Sequence, residues 1–353
     1  MKINRFFLLL LLTVAGSVPA FSEATFTATG VIDMIPTSMT DDASIVVGVG
    51  TFGAPNLYYT EAGGAVVIGD GCGSGLSAIS GDGTTIVGCN VDSDGKFNAA
   101  KWLGGTSWLD LGTVEDGVPC DAFLSGSWGL THDGSLAVGL VYLPQLCQAG
   151  AGTWDLINGG PATALPKLFD DRSSRANGVS ADGSVIVGWQ DQPTGERTAA
   201  KWVNGVIELI LTPSGGFNGE ALAVSADGNT IVGGGYNQRD GAWIWRPATG
   251  VERIWERGKS LNLLDVSDDG KTAVGFTREG AQGGHERAFL WRDGRGPILL
   301  TKYLADRGAV VPEGWDLTVA SLVSADGTTV YGWGFNPDNF VEMFKVVINP
   351  RAD

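Results

Sequence analysis

The chain has 353 residues, of which 54 are Gly and 14 are Pro, with 43% hydrophobic residues and 12 Trp. So much glycine spread along the chain argues against long helical bundles, because each interior glycine costs a helix about 1 kcal/mol, while the apolar content is ample for a packed core. A net charge of -16 excludes duplex nucleic acid or anionic lipid as the main partner, since both require a cationic surface.

Lys2 and Arg5 flank an apolar run from Phe6 to Val14, followed by Gly16, Ser17 and the small-residue stretch Val18-Pro19-Ala20. This is the pattern of a secretory signal peptide over residues 1–20, cleaved near Ala20 or Ser22. The run is too short to span a bilayer, and no later run is long enough. The expectation is a secreted or periplasmic protein without membrane insertion.

From there a motif repeats along the chain. The stretch Val179-Ser180-Ala181-Asp182-Gly183-Ser184-Val185-Ile186-Val187-Gly188 recurs at Val224–Gly233, Val266–Gly275 and Val323–Gly332. Weaker copies lie at Met39–Gly48, Ile79–Gly88 and Leu130–Gly139, the first with Asp42-Ala43 in place of Asp-Gly. The spacing of about 47 residues is that of propeller blades. Asp-Gly is expected to supply both left-handed positions of a type I′ hairpin turn between two strands. Some 17 to 22 residues after each Asp comes a third strand carrying Trp102, Trp154, Trp202, Trp245 or Trp291, with Tyr59 and Val346 at that place in the end copies. A short fourth strand follows, as at Gly205–Leu209.

Four strands in each of seven units predict an all-β, seven-bladed β-propeller of antiparallel blades over residues 24–350. The alternatives are an open β-solenoid or a six-bladed ring with the first copy appended. The last copy lacks its outer strand, and Thr29–Ile35 matches Asn204–Ile210, so the N-terminal segment is expected to complete the last blade.

Cys72 and Cys89 flank the hairpin that turns at Asp82-Gly83, and Cys120 and Cys147 stand in the same relation to Asp133-Gly134. In an oxidising compartment each pair is expected to form a disulfide across the mouth of its hairpin. Neither the cysteines nor His132 and His285 have metal-ligand spacing. Gly48–Gly53 fits GxGxxG but is followed by Pro55 and Asn56-Leu57-Tyr58-Tyr59, so it reads as a loop between strands. Asn90–Gly95 resembles the start of a calcium loop, but Lys101 stands where a bidentate Glu is needed, so a polar turn is expected. No catalytic motif and no cofactor-binding motif is present.

The repeat followed by Arg287-Ala288-Phe289-Leu290-Trp291, together with the stretch from Leu299-Leu300-Thr301-Lys302-Tyr303-Leu304 through Gly314-Trp315-Asp316-Leu317 to Val323-Ser324-Ala325-Asp326-Gly327, resembles the HAF family of bacterial extracellular repeat proteins. Arg287 holds the place of the family's histidine, so no histidine-dependent role carries over. The resemblance implies an exported protein with no assigned reaction.

Ligand contacts are expected in the loops on the face opposite the Asp-Gly turns. These hold Trp128, Asp170, Asp171, Arg172, Trp189, Asp191, Tyr236, Asn237, Arg239, Asp240, Arg278, Glu279, His285 and Glu286. Aromatic rings beside amides, carboxylates and guanidinium groups suit a glycan, a cell-envelope component or a protein partner. A polysaccharide lyase or glycosidase, with carboxylates, His285 or Tyr236 converging on the funnel, is the alternative.

Overall fold

The computed structural model describes residues 24–52, 55–72, 75–114, 124–143, 147–235, 241–254, 259–279 and 284–348. The expected signal peptide therefore lies outside the described residues. Strand β1 (Ala24–Ile32) is followed by β2 (Met34–Met39), β3 (Ile45–Gly50), β4 (Asn56–Thr60) and β5 (Gly64–Gly69), which form one antiparallel meander. The next two meanders are β6 (Ala78–Ile79), β7 (Ile86–Val91), β8 (Phe97–Gly104) and β9 (Ser107–Asp110), then β10 (Ser125–Leu130), β11 (Leu136–Leu143), β12 (Gln148–Asp155) and β13 (Thr163–Ala164). They are followed by β14 (Ser174–Val179), β15 (Val185–Asp191), β16 (Arg197–Val203) and β17 (Val206–Leu209).

Two further meanders share an eight-stranded sheet: β18 (Glu220–Val224), β19 (Ile231–Gly234), β20 (Ala242–Arg246) and β21 (Gly250–Ile254), then β22 (Lys259–Val266), β23 (Thr272–Glu279), β24 (Glu286–Arg292) and β25 (Gly296–Leu299). A single pairing of Gly234 with Asn262 joins them. Helix α1 (Leu300–Asp306) then leads to β26 (Asp316–Val323), β27 (Thr329–Phe335) and β28 (Val341–Ile348). Strand β1 pairs antiparallel with β28 and completes this last sheet.

The closing strand differs in register from the sequence expectation. It runs from Ala24 to Ile32, and Met34 already begins the first inner strand. Asp33, at φ 59°, makes the corner and donates its N–H to Val341 O. Val31 and Met34 are buried in one cluster with Ala43, Val46 and Tyr59 of the first meander and Leu322, Tyr331 and Met343 of the last. First and last units thus share a core.

The repeated turns are not type I′. Gly183 has φ 76°, but Asp182 stays out of the left-handed region. Gly183 N–H donates to Ser180 O (3.0 Å) and Ser180 N–H to Val185 O (2.8 Å), so a four-residue loop sits between paired ends. The Asp182 carboxylate accepts from Ser184 N–H (2.9 Å), Ser184 Oγ (2.7 Å) and Ser180 Oγ (2.8 Å). Those side-chain bonds lock the aspartate in the turn and leave the single left-handed position to glycine.

The glycine that ends the motif has a second role. Inner strands carry a register shift of one residue, as between Ala176 and Gly178, and Gly188 pairs with Ala176 just before it. A Cβ on Gly188 would fall 2.0 Å from Arg175 O and 2.9 Å from Ala176 Cα. The bulge in one strand thus requires a residue without a side chain on its neighbour.

The Cys72–Cys89 disulfide is formed as expected, with Cα atoms 5.5 Å apart. Cys147 is also disulfide-bonded, and its expected partner Cys120 lies outside the described residues. The Asn90–Gly95 segment is a polar turn: Asp92 Oδ1 accepts from the N–H groups of Asp94 and Lys96, and Oδ2 from Asn98 Nδ2. Among the described residues no helix is long and apolar enough to cross a membrane.

Candidate functional site in the axial channel

The bulged residues of successive inner strands converge. Thr37, Trp128, Asn177, Leu222, Leu264 and Ser321 all line a cavity of about 410 Å³ at the end of the inner strands away from the Asp-Gly turns. Ile35, Pro36, Leu76, Val319 and Leu322 give it aliphatic walls, and Phe276 and Trp333 add aromatic ones. Its polar lining includes Arg175, Asn177 and Glu286. The cavity continues past Asp265 toward the opposite mouth, where a space of about 210 Å³ is bounded by Asp41, Gly81, His132, Ala181, Ala226, Asp268 and Ala325.

At the wide mouth charge and aromatic rings are interleaved. Arg175 Nη2 lies 3.1 Å from Glu220 Oε2, and its Nε donates to Asn177 Oδ1 at 2.7 Å. Its guanidinium carbon lies 4.7 Å from the Trp128 ring centre and 5.5 Å from that of Trp189. Arg197 stacks on Trp189 at 3.6 Å, pairs with Glu220 through Nη1, and reaches Asp191 at 3.3 Å. Burial pulls the Arg175 pKa below the usual arginine value despite the Glu220 charge, so this cation is held at a desolvation cost that its neighbours offset.

At the narrow mouth the turn tips are linked from unit to unit. Asp41 N–H donates to Gly81 O (3.1 Å), Gly81 N–H to His132 O (2.9 Å), Ala181 N–H to Ala226 O (3.1 Å) and Asp268 N–H to Ala325 O (3.0 Å). His132 Nδ1 and Asp41 Oδ2 meet at 3.0 Å above Gly81. Burial, aided by the Asp41 charge and opposed by His132, pushes the Asp268 carboxyl above its ordinary value. Among the described residues, no group of three or more His, Cys, Asp or Glu is placed to hold a metal ion.

The residues expected from sequence divide into three sets. Trp128 and Glu286 line the wide cavity, while Trp189 and Arg278 stand behind its lining side chains and Asp191 pairs with Arg197 one step further out; Arg278 pairs with Glu286 and lies 5.4 Å from the Phe276 ring centre. Asp171, Arg172 and His285 do not line it: Arg172 bonds Pro193 O and sits 3.6 Å from Asp171, and the exposed His285 lies 3.5 Å from Asp316. Tyr236, Asn237, Arg239 and Asp240 lie outside the described residues. Sequence reasoning missed Arg175, Asn177, Arg197, Glu220, Phe276 and Trp333, because it looked to loops and these belong to strands. The signal was present: five residues before the turn Ser or Thr, the copies read Ile35, Gly75, Gly126, Arg175, Glu220, Asn262 and Val319, and the adjacent Arg and Glu stand out.

No family model matches the sequence, and no curated protein matches it. Solved structures do resemble the fold. Oligogalacturonate lyase from Vibrio parahaemolyticus superposes with a TM-score of 0.57 at 12% identity, over 93% of this chain and 94% of that one. Hydrazine synthase of Kuenenia stuttgartiensis gives 0.50 at 14% identity, over 90% and 96%. TolB from Acinetobacter baumannii gives 0.48 at 14% identity; the match covers 82% of this chain and 65% of the length of TolB. At such identities the likeness concerns the fold alone, which is that of a β-propeller.

Proposed function

We propose that this chain is an exported member of the HAF type, folded over residues 24–350 as one closed ring of seven blades, which binds a ligand at the wide mouth without transforming it. The seven motif copies, the meanders that carry them and the core shared by first and last units support the ring. The apolar run at Phe6–Val14 and the Cys72–Cys89 disulfide support export to an oxidising compartment, periplasmic or extracellular.

The binding reading rests on one observation, the chemistry of the 410 Å³ mouth. Its walls are aliphatic and aromatic, and its size is that of pockets that take small ligands or single anchoring groups. The acidic side chains at the wide mouth are ion-paired: Glu286 with Arg278, and Glu220 with Arg175 and Arg197. Such carboxylates suit fixed electrostatics better than proton transfer. A glycan, a cell-envelope component or a protein partner would enter through an apolar face.

The test is a glycan and peptide array probed with the exported chain, alongside a turnover assay on oligogalacturonates and on every glycan bound. Binding that is lost in Trp333→Ala and Phe276→Ala, with no product formed, supports the proposal. Steady release of product would overturn it in favour of a carbohydrate-active enzyme.

A further inference from the structure

Arg175 is built into the channel wall in a way that leaves part of its guanidinium unused. Nε is taken by Asn177 Oδ1 and Nη2 by Glu220 Oε2, while Nη1 has no hydrogen-bond partner among the described residues. Asn177 is itself fixed, its Nδ2 donating to Ala221 O at 2.8 Å. The Trp128 ring 4.7 Å away and the Trp189 ring 5.5 Å away pack against the group, and it cannot swing out without breaking both polar contacts. Among the described residues it is also the only cationic side chain lining the wide cavity, whose other walls are mostly aliphatic and aromatic.

We propose that Arg175 anchors the carboxylate of an amphipathic organic acid whose apolar body lies among Trp128, Phe276 and Trp333. This inference deepens the binding reading above and rests on it. A single fixed cation suits a singly charged acceptor, and the free Nη1 can donate a charge-assisted hydrogen bond to one carboxylate oxygen. Surrounding apolar walls strengthen that contact by excluding water. Glu286, held on the same wall by Arg278, would turn hydroxyl or amine groups of the acid toward itself and repel a second carboxylate. The ligand class is therefore a monoacid with an apolar face, whether an acidic sugar, an aromatic acid or a chain terminus.

The experiment compares naphthalene-2-carboxylate with 2-naphthamide by NMR titration of the intact exported chain. The acid is expected to bind about tenfold or more tightly than the amide, the worth of one charge-assisted hydrogen bond. Arg175→Gln should abolish the preference, and Arg175→Lys should restore part of it. Equal affinity of the two compounds for the wild type would overturn the inference and leave the cavity as a neutral binding site. Binding of neither would overturn the cavity reading along with it. Because the wild-type comparison needs no variant, misfolding of Arg175→Gln does not remove the test.

Discussion

Gly188 shows how one residue links the motif to the channel. Its missing side chain lets the Arg175–Ala176 backbone come close, and the bulge that follows turns Asn177 toward the axis. The obstacle to a Cβ is backbone, so no side-chain rotation relieves it. Gly188→Ala is expected to cost roughly 3 kcal/mol and to lower the urea midpoint without a large change in slope. A loss under about 0.5 kcal/mol would mean that the bulge is not crowded as described.

Asp265 supplies a second test at the same scale. Its half-buried carboxylate lines the channel, with Oδ1 accepting from Val266 N–H (2.9 Å) and Oδ2 from Val323 N–H (2.8 Å) of the next unit. Burial pushes its pKa up to about 7, against the two hydrogen bonds. Between the ordinary Asp value of about 3.9 and that pKa, the folded state holds a proton that the unfolded state releases. This group therefore makes stability fall as pH rises through that window. In Asp265→Asn this group's share of the slope should disappear, so that the difference in Tm between pH 4.5 and pH 7.5 shrinks; an unchanged difference would remove Asp265 as a source of it. Such individual environments were not legible in the sequence. The VSADG string marks the turn, but whether its aspartate is left-handed depends on the side-chain bonds from Ser180 and Ser184.

At the scale of elements, strands were legible because Asp-Gly, the apolar run and the tryptophan recur in step, and the third strands do carry Trp102, Trp154, Trp202, Trp245 and Trp291. Helix α1 was not. Its buried Leu300, Tyr303 and Leu304 follow i, i+3, i+4 spacing, but seven residues are too few for that period to stand out. The closing strand was placed late because Gly30 was matched to Gly205. Gly205 lies in the two-residue turn between β16 and β17, whereas Gly30 sits in an irregular stretch of β1 and donates its N–H to Glu342 Oε1. Strand β1 buries Ala24 against the last sheet, and Phe26 packs 5.2 Å from Trp315 and 6.1 Å from Phe344 between ring centres. Deleting residues 24–32 should expose the edge of β28 and that apolar face, and convert a monodisperse chain into aggregates on size-exclusion chromatography. A synthetic peptide of the same residues should restore the original elution; failure to aggregate without it would show that β1 is dispensable.

The repeat also gives the whole molecule a common electrostatic property. Asp42, Asp82, Asp133, Asp182, Asp227, Asp269 and Asp326 all accept hydrogen bonds from the hydroxyl and N–H groups of their turns, and all are held below the ordinary carboxylate range. At Asp269 and Asp326 burial pushes upward, and the hydrogen bonds still prevail. Asp182 reaches about 2, chiefly through the Ser184 N–H and then the Ser184 and Ser180 hydroxyls. With folded pKa values depressed, the unfolded chain takes up protons first as pH falls, so this stabilisation is complete above about pH 4 and is lost toward pH 2. Asp265 acts in the opposite direction, lowering stability as pH rises from about 4 toward 7. Replacing Asp82, Asp133 and Asp182 together with Asn should lower the urea midpoint at pH 7, where the native carboxylates are charged. As pH falls toward 2 the wild-type and variant curves should converge, because the carboxylates that distinguish them are then being protonated in the folded wild type. Curves that stay parallel from pH 7 to pH 2.5 would show that the turns stabilise through backbone shape alone, with no contribution from the carboxylate charge.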